Sequence, residues 1–169
     1  CFPDKELRIW DYNRVVTDLN GMTEACFLAR LREEFLVEFV GKEAVSPRGQ
    51  GEFGMFLKSG WYRLTARRRE RLQDTVKRLD VSFLQDFLLS PILGIRDPRR
   101  DERIRFVGGI RGLQALEVCV KEGMAVAFCL YPTSMEELFA VADAGRLMPP
   151  KSTWFEPKLR SGLLLHALS

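Results

Sequence analysis

Apolar and β-branched residues crowd the stretch from Leu7 to Val16, which predicts a strand. Asn20-Gly21 then marks a turn. Thr23 stands where it can cap a helix on which Phe27, Leu28, Leu31 and Phe35 recur at helical spacing. Val37 to Val40 reads as a short strand, and residues 41–51, with Pro47, Gly49 and Gly51, as a loop. Glu52 to Ala66 predicts a β-hairpin turning at Ser59-Gly60, its apolar faces supplied by Phe53, Met55, Leu57, Trp61, Tyr62 and Leu64. Asp80 is expected to cap a helix running to about Leu89, with Val81, Leu84, Phe87 and Leu88 on one face. Pro91 and Gly94 punctuate its end.

The second half has a clearer grammar. Ile104 to Val107 predicts a strand, Gly108-Gly109 a turn, and Gly112 to Lys121 a helix with Leu113, Leu116 and Val120 inward. Gly123 ends that helix, and Ala125 to Tyr131 is almost wholly apolar, as suits a strand covered on both faces. Strand, helix and strand at these lengths make a βαβ unit around residues 104–131, with a right-handed parallel crossover. Ser134 and Glu137 form a capping box opening a helix that Gly145 closes, and Gly162 to Leu168 reads as a last strand. The fold class that follows is α/β, with α+β left open: a mixed sheet with helices packed on it, in a single domain over residues 1–169.

Composition narrows the classes. The chain has 169 residues, 46% hydrophobic and 29% charged, which is globular composition rather than disorder or a fibre. A chain of this length buries roughly 68–70% of its unfolded surface, so a core can stand on packing alone. The 26 Lys and Arg against 23 Asp and Glu leave +3, too little to imply nucleic acid. The basic stretch Arg63 to Arg78 lacks interleaved aromatics beyond Trp61 and Tyr62, and a solvated face explains it better than a nucleic-acid groove. Cys26, Cys119 and Cys129 sit in apolar-periodic segments and read as buried reduced thiols. With one histidine, His166, no metal set is expected. No apolar run approaches the ~20 residues that cross a bilayer, and a cytoplasmic protein without a membrane partner is expected. The start, which lacks Met, reads as an internal cut.

Chemistry concentrates in two places. Gly108, Gly109 and Gly112 around Arg111 lie between a strand and a helix, where backbone N–H groups and a guanidinium can converge on an anion. The bland alternative is a tight turn with a solvated Arg111. Near the end, Pro149, Pro150 and Pro157 stiffen a connection that carries Lys151, Ser152, Thr153, Lys158 and Arg160. Ammonium and hydroxyl donors on a rigid loop suit an oxyanion, because little ordering entropy is lost on binding. The alternative is an exposed loop whose Trp154 and Phe155 plug the core. Asp11 and Asn13 share a face of the first strand and could reach into a cleft, though alternation on a half-exposed sheet predicts them too. A catalytic set is missing: no G-x-S-x-G occurs, and His166 lies in an apolar strand.

The segments DYNRVVTDLNGM, RLDVSFLQDFLLSPILGIRDPR, RIRFVGGIRGL, VAFCLYPTSMEELFAVADAG and MPPKSTWFEPKLRSGL, in this order, resemble the bacterial and archaeal "domain of unknown function ten-fifteen" family. The chain looks like the C-terminal part of such a protein. The resemblance implies a longer N-terminal part bearing an Asp-Gly-His-His-Arg motif, similar to one in kinases acting on free serine with a ParB- and sulfiredoxin-like fold. Gly108, Gly109, Arg111, Lys151, Ser152, Thr153, Lys158 and Arg160 stand at matching places in the family's segments, and their chemistry suits phosphate clamping.

Two functional readings follow. In the first, this C-terminal domain of a metabolic enzyme contributes a phosphate-binding wall for transfer to a small metabolite such as serine. The fragment alone is then inactive and needs no cofactor, while the intact protein uses a nucleotide with a divalent cation and partners its own N-terminal domain. In the second, the domain is a non-catalytic scaffold or homodimerisation unit. The first reading requires the Lys151 stretch to fold back beside Gly108-Gly109.

Overall fold

A computed structural model describes residues 8–156. The predicted first strand is broken at Asp11 into β1 (Arg8–Trp10) and β2 (Tyr12–Val16). After the Asn20-Gly21 turn comes α1 (Glu24–Leu31), capped as expected by Thr23, whose hydroxyl accepts from the Cys26 N–H. Phe35 leaves the helical pattern and opens β3 (Phe35–Gly41). The hairpin consists of β4 (Glu52–Leu57) and β5 (Gly60–Ala66). Gly60 adopts φ 134°, and a Cβ there would crowd the Gly41 backbone. Then follow α2 (Asp80–Leu84), β6 (Ile104–Gly108), α3 (Leu113–Lys121), β7 (Val126–Leu130), α4 (Met135–Asp143) and β8 (Trp154–Glu156).

Six strands form one sheet in the order β3-β5-β4-β7-β2-β6, every neighbouring pair antiparallel. β1 and β8 make a separate antiparallel pair. Both β6 and β7 run antiparallel to β2, so they are parallel to one another, as the βαβ reading expects. They are not adjacent, however. β2 lies between them, because Val15 and Val16 are apolar and buried and both edges of their strand find backbone partners.

Each face of the sheet carries its own core. On one, α1, α2 and α4 cover Val16, Phe53, Met55, Leu64, Val126 and Phe128. The rings of Phe35, Phe53 and Phe83 meet there at centroid distances of 5.6–6.5 Å. Each such buried ring contributes roughly 1.5–3 kcal/mol of burial. On the other face α3 sets Leu116 and Val120 against Val15, Trp61 and Ala127.

Three expectations are corrected. Asp80 does not cap its helix: Leu79 holds that position, and the Asp80 carboxylate is buried in an ion pair with Arg69 at 2.9 Å. The basic stretch is accordingly not wholly solvated, since Arg69 is buried. Cys26 is exposed and Cys119 half-buried, and only Cys129 is a core thiol. The helix after Asp80 also changes pitch, with Gln85–Leu89 forming a π turn closed by the Ser90 N–H on the Gln85 carbonyl at 2.9 Å. The predicted strand Gly162 to Leu168 lies outside the described residues.

Candidate functional site

Because β6 and β7 are parallel, their carboxyl ends open at one edge, where β2 begins. Gly108 pairs with Tyr12 there, and Leu130 takes its backbone partner from a side chain: its N–H donates to Asn13 Oδ1 at 3.0 Å. Gly108 lies against Trp154, and a Cβ on it would fall 2.8 Å from the indole. Gly109 lies against the Asp11 carboxylate, which a Cβ would overlap. These two glycines therefore permit close approach. The Gly109 N–H donates to the Asp11 carbonyl and the Gly112 N–H to the Gly109 carbonyl. Burial pushes the Asp11 carboxyl above its usual range, against opposing hydrogen bonds and the Arg14 charge.

The proline-stiffened stretch does return to this edge. Arg14, buried in β2, donates from one terminal nitrogen to the Tyr12 carbonyl and from the other to the Lys151 carbonyl at 2.9 Å. Thr133, just past β7, donates to the Ser152 carbonyl at 3.2 Å. The Ser152 hydroxyl donates to the Pro149 carbonyl at 2.8 Å. Lys151 adopts φ 56°, left-handed backbone that costs roughly 1–2 kcal/mol for a residue with a Cβ. The Arg14 bond to its carbonyl helps hold it there. Its ammonium sits 5.5 Å from the centre of the Tyr12 ring, whose other neighbours are Trp154 and Phe106.

Beneath this strap, on the α2 side of the sheet, lies a hollow of about 330 Å³. The sheet contributes Arg14, the helix Ser82 and Gln85, and the far wall Lys77, Arg146 and Pro149. Arg146 is paired to Asp74 at 3.4 Å. The Lys77 N–H, followed by the Arg146 charge, holds Asp74 below the usual carboxylate range. Burial lowers the Arg14 guanidinium to about 10, which leaves it charged at neutral pH. A second hollow, of about 360 Å³, borders Arg69 and α4. There Arg69 bridges Asp80 at 2.9 Å and Glu137 at 3.2 Å, and Gly51 donates to Asp80 at 2.9 Å.

Gly108, Gly109, Lys151, Ser152 and Thr153 are thus brought to one edge, with the Ser152 hydroxyl engaged inside its own loop. Arg111 lies on the 3₁₀ turn Gly109–Arg111 and is exposed. Lys158, Arg160 and His166 lie outside the described residues. Sequence reasoning missed Arg14, although a lone Arg inside Tyr12-Asn13-Arg14-Val15-Val16, in a strand otherwise headed for the core, was the available signal. It missed Lys77 and Gln85 as well, since nothing local ties them to Arg14. Among the described residues, no group of three or more His, Cys, Asp or Glu side chains comes together in a way that could hold a metal. No helix among them is long and apolar enough to cross a membrane.

A protein-family model described as "Protein of unknown function (DUF1015)" matches residues 1–82. No curated protein matches. Among solved structures, the fold is similar to a free serine kinase variant in complex with AMP, at 15% identity and a TM-score of 0.52, covering 90% of this chain and 55% of that one. The ADP complex of the same variant gives 15% and 0.51. A conserved hypothetical protein from Pyrococcus furiosus gives 15% and 0.51, with 57% of its chain covered. At such identities the likeness is one of fold. This chain spans little more than half the length of these neighbours.

Proposed function

We propose that this chain, whose residues 1–82 match the family model described as Protein of unknown function (DUF1015), contributes the anion-holding wall of a phosphotransferase. The donor is a nucleotide with a divalent cation, and the acceptor a small metabolite such as serine. The observation that carries this reading is the return of the Lys151 strap to the Gly108-Gly109 edge, fastened through Arg14 and Thr133. The fold likeness to proteins whose structures hold AMP or ADP supports it. Phosphoryl transfer asks the protein mainly for positioning and for positive charge around the moving group. Lys151 on a stiffened loop supplies charge, the Thr153 hydroxyl a donor, and Arg111 a guanidinium at the same edge.

Calorimetric titration with ADP, AMP and phosphoserine tests the assignment. The Lys151→Ala, Arg111→Ala double variant is expected to weaken binding at least about tenfold, as loss of charged hydrogen bonds implies. Unchanged affinity would remove the wall from this edge. The scaffold reading keeps one supporting observation, since Leu36 and Phe39 on the edge strand β3 are 57% and 58% exposed. Sedimentation at several concentrations separates the two, as only a scaffold associates through that edge.

A further inference from the structure

Among the described residues two arginines are buried, and the fold treats them differently. Arg69, 9% exposed, faces two carboxylates, Asp80 and Glu137. Arg14, 4% exposed, faces carbonyls: two of its N–H groups go to Tyr12 and Lys151, and the guanidinium lies 5.4 Å from the Phe106 ring centre. Asp11 acts on it electrostatically, but no carboxylate among the described residues comes within ion-pair distance of it. Carbonyl dipoles satisfy donors but leave the net charge in place, and a buried cation with no direct ion pair is costly. Arg14 also lines the hollow beneath the strap, so a direct anionic partner has room to arrive from solvent.

A second group in the same lining is similarly incomplete. The Gln85 amide nitrogen donates to the Ile95 carbonyl at 2.7 Å, whereas Oε1 is buried without a hydrogen-bond partner. An orphaned buried acceptor of this kind calls for a donor from a ligand or water. The hollow's 330 Å³ is at the small end of ligand sites. Asp74 and Asp86 share the lining, so several negative charges together would be repelled, while one anionic group over Arg14 and Lys77 would not.

We infer that the hollow is a binding site for a small organic anion. Its oxyanion group rests on the Arg14 fork, with Lys77 adding charge at the wall, and a hydroxyl or amide donor of the same molecule meets Gln85 Oε1. The planar guanidinium suits both carboxylate and phosphate geometry, so the shared chemistry is an oxyanion bearing one nearby donor. This site goes beyond the phosphotransfer reading and needs no nucleotide.

Titration of the protein with acetate, glycolate and inorganic phosphate, followed by calorimetry and amide chemical shifts, tests it. Glycolate is expected to bind more tightly than acetate, because only glycolate carries the donor for Gln85, and comparison with phosphate tells which oxyanion the fork prefers. Arg14→Lys is expected to weaken binding about tenfold or more by losing the fork. Since that buried variant also loosens the Lys151 strap, exposed Lys77→Glu provides the second arm and is expected to abolish saturation. Gln85→Met should erase the preference for glycolate over acetate. Failure of all three probes to saturate by about 10 mM would overturn the proposal, as would unchanged affinity in Lys77→Glu. ADP titrated in parallel keeps the two readings apart: nucleotide affinity lost in the Lys151, Arg111 double variant, with glycolate still bound, leaves the hollow standing alone.

Discussion

Asn13 and Arg14 are neighbours on one strand, face opposite sides of the sheet, and are almost fully buried. Each is polar for a different reason. Asn13 completes a ladder: β7 pairs with β2 only as far as Phe128, and the Leu130 N–H beyond it is satisfied by the Asn13 side chain. Asn13→Ala leaves that N–H buried without an acceptor. A loss of about 1–3 kcal/mol in urea-unfolding stability is expected. Asn13→Asp should recover part of it, since the acceptor returns with a charge. Alternation along the strand made Asn13 visible as a polar intrusion, but its partner Leu130 and the Lys151 carbonyl held by Arg14 both lie more than a hundred residues away. The Lys151 strap, by contrast, announced itself through its prolines, and the Gly108-Gly109 pair through its position after a strand. Their meeting depended on β2 standing between β6 and β7, which no local pattern encodes.

Elements here are joined by charge as well as by packing. Ser134 and Glu137 form the capping box of α4, and the remaining Glu137 oxygen reaches Arg69, which reaches Asp80 on α2. The capping box was legible because its members are three residues apart. The ion-pair network was not, because Asp80 at a helix start mimics a cap and its partner sits eleven residues back among exposed arginines. Ser134→Ala is expected to cost about 1 kcal/mol. Arg69→Met removes the cation shared by Asp80 and Glu137 and should cost up to about 3–5 kcal/mol above about pH 7, and less at lower pH, where Asp80 takes up a proton. The pH dependence has a definite sign. Burial raises the Asp80 carboxyl from 3.8 to about 7, against the pull of Arg69 and the Gly51 N–H. The folded protein therefore holds this proton more tightly than the unfolded chain does. The resulting stabilisation is complete below about pH 4 and is lost as pH rises through about 7. Urea midpoints of Asp80→Asn relative to the parent protein should consequently improve between about pH 5 and pH 8, and a difference that stays flat would contradict the assignment.

At the scale of the molecule, the sheet is two halves sewn together along β4 and β7. The half made of β3, β5 and β4 is a local three-stranded unit, with β3 paired to β5 rather than to β4, whose hairpin could be read from the chain. The half made of β7, β2 and β6 pairs Tyr12–Val16 with strands starting at residues 104 and 126, so it forms only after long loops close. β7 is buried along its whole length and bonded on both sides, to β4 and to β2. β3 is bonded on one side only and exposes Leu36 and Phe39. Native-state hydrogen exchange should therefore rank them. Amides of Val126–Leu130 are expected to exchange only through global unfolding, which for a domain of this size lies at roughly 5–15 kcal/mol. The outward amides of β3 should open at far lower free energy. If β3, β5 and β4 instead outlast β7, the hairpin half stands without its partner and the seam along β4 and β7 is not what unifies the fold.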